Sequence, residues 1–209
     1  MPYLKNKSIS PEPLDCRILS AALELFAQRG YHNVSIHDIQ RKANVSIGSI
    51  YNHFGGKEGV ARALYYHLLN EFEEMVAEVI ALELTNIERC NEIIRLLFEY
   101  TETHRPIIEF MLHARHREFL PDENPVCSAA PFRTMRDIVE WGIDNGEIRR
   151  GESWIITSSV FGSAIRMIHL RLDGLIDRPL PEFYDELIDT IWQGLAQEPE
   201  LQQLQAVAD

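Results

Sequence analysis

The chain reads as an all-α protein, with a short helix-turn-helix domain followed by a larger helical domain. Three observations predict this. Apolar residues recur at three- and four-residue steps through most segments, the period of a helix face. No stretch alternates apolar and polar residues long enough to make a credible strand. A short amphipathic segment, Ser35 to Ala43, also meets the segment Val45 to Lys57, VSIGSIYNHFGGK, across a tight corner at Asn44. Two short helices joined in this way form a helix-turn-helix, whose second helix is shaped to enter a DNA major groove.

Residues 1–12 contain Lys5 and Lys7, and three prolines occur by position 13; they read as a flexible arm. The first helix carries ILSAALELFAQRGY, with Ile18, Ala22, Leu25 and Phe26 on one stripe and Gly30 at its end. Ser35 opens the second helix, with Asp38 three residues on as a short capping pair. Asn44 suits the corner because Asn tolerates left-handed backbone angles. Ser46 caps the third helix through its hydroxyl. Gly48 and Ser49 keep the leading face small, and Ile50 and Phe54, four apart, face inward. Tyr51, His53 and Lys57 offer donors of the kind that hold phosphate oxygens.

Gly55 and Gly56 make the joint to a long helix over about 57–83, with the stripe Val60, Leu64, Leu68, Phe72, Met75 and Val79. Helices follow over about 87–104, 106–119, 132–145, 152–173 and 182–196, about nine in all. Residues 120–131, with three prolines, read as a loop. The stripe of the last helix is Phe183, Leu187, Ile191 and Leu195. Functionally the chain divides into the arm (1–12), the helix-turn-helix domain (13–56), a regulatory and dimerisation domain (57–197) and a C-terminal tail (198–209).

Over residues 14–60 the sequence resembles the DNA-binding domain of the TetR family of bacterial repressors. The shared pattern runs from the apolar first helix and its glycine, through a Ser start, to Tyr51, Asn52, His53, Phe54, Gly55, Gly56 and Lys57. Asn44 departs from it, since the family more often has Gly there. The resemblance implies a homodimeric regulator, acting as a repressor that leaves a near-palindromic operator when a small molecule binds. On that reading Ser49 and Asn52 read base edges, His37 reaches the same groove, and Ser35, Tyr51, His53 and Lys57 hold phosphates, with Ser46, Ile47 and Gly48 completing the DNA-facing surface. It also implies that the last two long helices pair with those of a second subunit. The residues support this independently: the helix from Glu152 is apolar on more than one face and carries small residues. Ser159, Gly162 and Ser163 are expected near the crossing, with Phe183, Leu187 and Ile191 around it. A mainly apolar ligand pocket is expected from Phe98, Phe110, Met111, Met135, Trp141 and Phe161, with His113 or Arg166 as polar contacts. The alternative is a DNA-binding protein of the same fold governed by a protein partner, with no small-molecule effector.

The net charge of −12 argues against DNA only until its distribution is seen. Residues 1–62 hold 8 Lys and Arg against 5 Asp and Glu, and the remainder 12 against 27. The helix-turn-helix end is mildly basic and the body acidic, which orients the chain on a polyanion. Three cysteines, Cys16, Cys90 and Cys127, form no CxxC pair, so no disulfide framework is expected. Without an apolar leader or a stretch long enough to span a bilayer, a soluble cytoplasmic protein is expected. Glu109, His113 and His116 have spacing that a metal could use, but Arg115 and Arg117 would repel a cation, so no metal and no cofactor are expected. No nucleophile elbow, phosphate loop or HExxH occurs, and an enzyme is not expected.

Overall fold

The computed structural model describes residues 13–113, 119–121 and 128–196. The arm, the tail, Cys127, His116 and the His113 side chain lie outside the described residues. The elements are α1 (Leu14–Arg29), α2 (Ile36–Ala43), α3 (Ile47–Phe54), α4 (Lys57–Ile80), α5 (Asn86–Thr103), α6 (Arg105–Ile108), α7 (Ala130–Asp144), α8 (Ser153–Leu172) and α9 (Tyr184–Trp192). A π-helical turn, Glu109–His113, continues α6, and a 3-10 turn, Leu180–Phe183, leads into α9. Among the described residues the fold is all-helical, and the one β-type pairing is an isolated bridge between Ile148 and Ala196. No helix among them is long and apolar enough to cross a membrane.

The chain packs as two units: Met1–Glu74 with Thr103–Ala129, and Met75–Glu102 with Ala130–Asp209. The unit that holds the helix-turn-helix thus includes residues well beyond position 56. Its core is formed by Ile18, Ala22 and Phe26 of α1, Ile39 of α2, Ile50 of α3 and the α4 stripe Val60, Leu64 and Leu68, all buried. Local chemistry sets its corners. The Ser35 hydroxyl accepts from the Asp38 N–H at 3.2 Å and the Asp38 carboxylate accepts from the Ser35 N–H at 2.9 Å, a complete capping box. Asn44 ends α2 at φ 52° and ψ 54°, the left-handed conformation that Asn tolerates. The Gln40 amide donates to the Val45 carbonyl at 2.9 Å and closes the corner from inside.

In the second unit, Cys90, Ile93, Ile94, Leu97 and Phe98 of α5 are buried, as are Met135, Ile138 and Val139 of α7 and Val160, Phe161 and Ile168 of α8. The orphan donors at the start of α5 are all met. The Glu147 carboxylate accepts from the backbone N–H of Asn86 at 2.6 Å and of Ile87 at 3.3 Å, and from the Asn86 amide at 2.7 Å. The Thr85 hydroxyl accepts from the Glu88 N–H at 3.2 Å. At the other end of α5, the Glu102 carboxylate accepts both Arg171 Nε and Nη2 at 2.9 Å and the Leu180 N–H at 3.0 Å, while Arg171 Nη1 donates to the Ile176 carbonyl at 3.0 Å. This bidentate pair fixes the turn between α8 and α9.

Three boundaries differ from those read in the sequence. The α4 helix stops at Ile80, three residues short, where the chain turns into Thr85. Helix α7 starts earlier, at Ala130, because Pro131 fits a first helical turn, where its missing N–H has no partner to lose. The last helix ends at Trp192 rather than near Ala196, and the chain turns so that the Leu195 carbonyl accepts from the Arg149 N–H at 2.8 Å.

Candidate nucleic-acid interface

Helix α3 presents a face built to approach another molecule. The Ser46 hydroxyl caps it, accepting from the Ser49 N–H at 3.0 Å. Ile50 is fully buried and anchors the helix, and Phe54, expected beside it, is half-buried. On the outward side stand Ile47, Gly48, Tyr51, Asn52 and His53. A Cβ at Gly48 would meet only the Ser46 hydroxyl, at 3.8 Å, so this stretch of backbone is open to a close approach. Tyr51, 53% exposed, offers its side chain to an outside acceptor. His37 is exposed in the first turn of α2, and its carbonyl accepts from Arg41 Nε at 3.4 Å.

Three residues sit otherwise than their expected roles suggest. Ser49, expected to read a base, is half-buried, and its hydroxyl lies 2.8 Å from that of Ser46. Ser35 is exposed but its hydroxyl is engaged in the capping box. Lys57, expected on a phosphate, turns inward. Its Nζ donates to the carbonyls of Tyr31 at 3.1 Å and Val34 at 3.0 Å and stands 4.1 Å from the Tyr31 ring centre. Burial lowers its pKa from the usual lysine value.

Arg41 and Arg17 escaped the sequence reading. Arg41 is exposed beside His37, one turn along α2, and pairs with Asp38 at 2.6 Å. Its signal was available, since His37 and Arg41 are four apart. Arg17 Nη1 donates to the Asn44 carbonyl at 3.5 Å across 27 residues, a contact with no local signature.

The expected pocket residues fall into both units. Phe110 and Met111 are buried in the first, and Phe98, Met135 and Phe161 in the second. Trp141, 42% exposed, and Arg166, also exposed, stand on the outer faces of α7 and α8 instead of in a buried wall. The helical stripe places them there: both fall between the inward positions of their helices. Of the expected dimer residues, Ser159 is exposed, Gly162, Ser163, Phe183 and Leu187 are half-buried, and Ile191 is buried. Trp154 and Ile155, 56% and 63% exposed, add an apolar end to the same α8 face, one turn before Ser158 and Ser159, with the Arg136 guanidinium 4.7 Å from the Trp154 ring centre. No cluster of metal-ligand side chains occurs among the described residues.

Residues 18–64 match the family described as bacterial regulatory proteins, tetR family. Among curated proteins, a fatty acid metabolism regulator protein of Bacillus subtilis (strain 168) is 28% identical over 142 residues, covering 66% of this chain and 73% of the relative. The solved structure of the transcriptional regulator FadR from Bacillus subtilis in complex with stearoyl-CoA superposes with a TM-score of 0.75 at 22% identity, over 86% of this chain and 98% of that one. A putative fatty acid metabolism regulator from Clostridium perfringens gives 0.72 at 23% identity, over 85% and 97%. At these identities the two structures speak to the fold.

Proposed function

We propose that the chain, whose residues 18–64 match the tetR family of bacterial regulatory proteins, is a cytoplasmic homodimeric DNA-binding repressor, released from a near-palindromic operator by a long-chain fatty acyl thioester. The observation that carries the DNA half is the outward face of α3: Gly48, Tyr51 and Asn52 stand free while Ile50 anchors the helix. A helix so presented places side chains on base edges, and two copies related by a two-fold axis read two inverted half-sites. Asn52 reads a base. Tyr51, His53 and His37 hold phosphates, and Arg41 joins them.

The α8 face from Trp154 to Ser163 supports dimerisation. A chain that leaves Trp154 and Ile155 more than half exposed beside small residues has an apolar strip for a second copy. The effector class is supported by the fatty acid metabolism regulators that the chain resembles and by the large apolar side chains of the second unit, Phe98, Met135 and Phe161, suited to an alkyl chain. Arg166, on the surface, suits a charged headgroup better than an alkyl tail. Release then follows from linkage: a ligand that favours the DNA-incompetent state lowers DNA affinity by the factor by which DNA lowers ligand affinity.

A selection of binding sites from random DNA with the full chain tests both halves. The expected product is a pair of inverted half-sites, released by stearoyl-CoA and not by coenzyme A alone. A single unpaired half-site would remove the dimeric reading. Retention of DNA at saturating stearoyl-CoA would remove the acyl thioester and favour control by a protein partner.

A further inference from the structure

We propose that Lys57 is a positioning residue for DNA binding rather than a phosphate ligand, held in place by a closed cluster of four aromatic rings that reaches from Tyr31 to Phe110. The inference rests on the DNA-binding role of the helix-turn-helix and goes beyond it. The Lys57 ammonium has three N–H groups, and two are committed to the carbonyls of Tyr31 and Val34. Both carbonyls lie in the segment between α1 and α2, just ahead of the Ser35 capping box. The ammonium therefore ties the first turn of α4 to the entrance of the helix-turn-helix. A phosphate ligand brings its charge to the surface and displaces counterions there; this charge is half-buried and engaged from within.

The Tyr31 ring completes the seat. Its centre lies 5.5 Å from that of Phe26 and 4.8 Å from that of Phe119. Phe110 closes the circuit, stacked 6.2 Å from Phe26 and 5.8 Å from Phe119. Tyr31 and Phe110 are thus opposite corners of one aromatic box, with Lys57 above the first. Phe110 lies in the π-helical turn that continues α6. Ile107, Ile108, Phe110 and Met111 are all buried, at the three- and four-residue steps of one inward helix face. Rings this close move as a packed body, so a change at Phe110 shifts the Tyr31 ring and, through it, the Lys57 tie.

The test uses the full chain and an operator obtained by selection. Affinity is measured over a range of salt for Lys57→Met, Tyr31→Phe, Tyr31→Leu, Phe110→Leu and the double variant Lys57→Met/Phe110→Leu, each well below its melting midpoint. Lys57→Met and Tyr31→Leu are expected to weaken operator binding by roughly tenfold, within the range of coupled neighbours, with the salt dependence unchanged. Tyr31→Phe is expected to bind as the parent does, because the ring and the main-chain carbonyl both remain. The double variant is expected to bind no more weakly than the worse single variant, although two rings separate the two side chains. A salt dependence flatter by about one unit per site in Lys57→Met would make Lys57 a phosphate ligand and overturn the proposal. So would losses that simply multiply in the double variant, since independent sites add in free energy. Should Lys57→Met not fold, Tyr31→Phe against Tyr31→Leu decides: equal operator affinity in the two overturns the role of the ring.

Discussion

The carbonyl oxygen of Phe54 lies against Gly59, 1.6 Å from where a Cβ at that position would stand. The chain leaves α3, reverses through Gly55 and Gly56 and enters α4 so tightly that only a residue without a side chain fits two positions into the new helix. The obstacle is backbone, which cannot rotate away as a flexible side chain does.

Gly59→Ala should therefore force α3 and α4 apart at their junction. Overpacking of this kind costs about 1–3 kcal/mol or more, and it falls on the helix that faces DNA. Thermal denaturation should show a lower midpoint, and operator binding should weaken even where the protein is folded. An alanine variant as stable as the parent would mean that the junction relaxes at no cost.

The cap of α2 should fail in acid. Hydrogen bonds from the Ser35 hydroxyl, the Ser35 N–H and Arg41 lower the Asp38 pKa from 3.8 to about 2. A carboxyl whose folded-state pKa is depressed adds stability above its unfolded value and loses it as pH falls through the folded one. The gap in melting midpoint between the parent and Asp38→Ala should hold at neutral pH, narrow below about pH 4 and close only below about pH 2. A gap that persists at the acid end would place the stabilisation elsewhere.

Asn52→Ala should relax sequence preference at one base pair of each half-site by about 1–3 kcal/mol, while binding to random DNA changes little. The preference is read directly in a selection on a randomised operator. If every position kept its original preference, Asn52 would leave the set of base readers.

Gly162→Leu tests the second subunit. Among the described residues, nothing beyond the helix's own backbone lies within 4 Å of a Cβ at Gly162, so one chain alone accommodates a larger side chain. A partner helix crossing there would not, at about 1–3 kcal/mol per copy, applied twice by the two-fold axis. Sedimentation should show a shift toward monomer with the melting of the helix-turn-helix unit unchanged. A stable dimer with full operator affinity would move the interface off this face.

What the sequence disclosed was what is decided locally. Ser35 with Asp38, Ser46 with Ser49, and Asn44 at the corner each act over three to five residues, and each stands as its spacing implied. The α4 stripe from Val60 to Val79 is buried as its steps of three and four required. The inward turn of Lys57 depends on carbonyls 26 and 23 residues away, which no window on the chain contains. The same holds for Glu147, which caps α5 from 61 residues downstream. Trp141 misled for a different reason: size and hydrophobicity suggest an interior, and only its phase on α7 reveals the exposed side.

The second unit is interrupted in the chain by residues 103–129, and this bears on the order in which the protein is made. Its first part, with Ile93, Ile94, Leu97 and Phe98, leaves the ribosome before any of α7 or α8 exists to cover it. At roughly 5–20 residues per second of synthesis, the delay before α7 begins amounts to about one to six seconds. Until then the α5 stripe is bare, and Asn86 and Ile87 await a carboxylate not yet translated. The nascent chain thus passes through a stage with an adhesive apolar helix. Slow translation over that interval should raise its dependence on chaperones without altering the finished molecule.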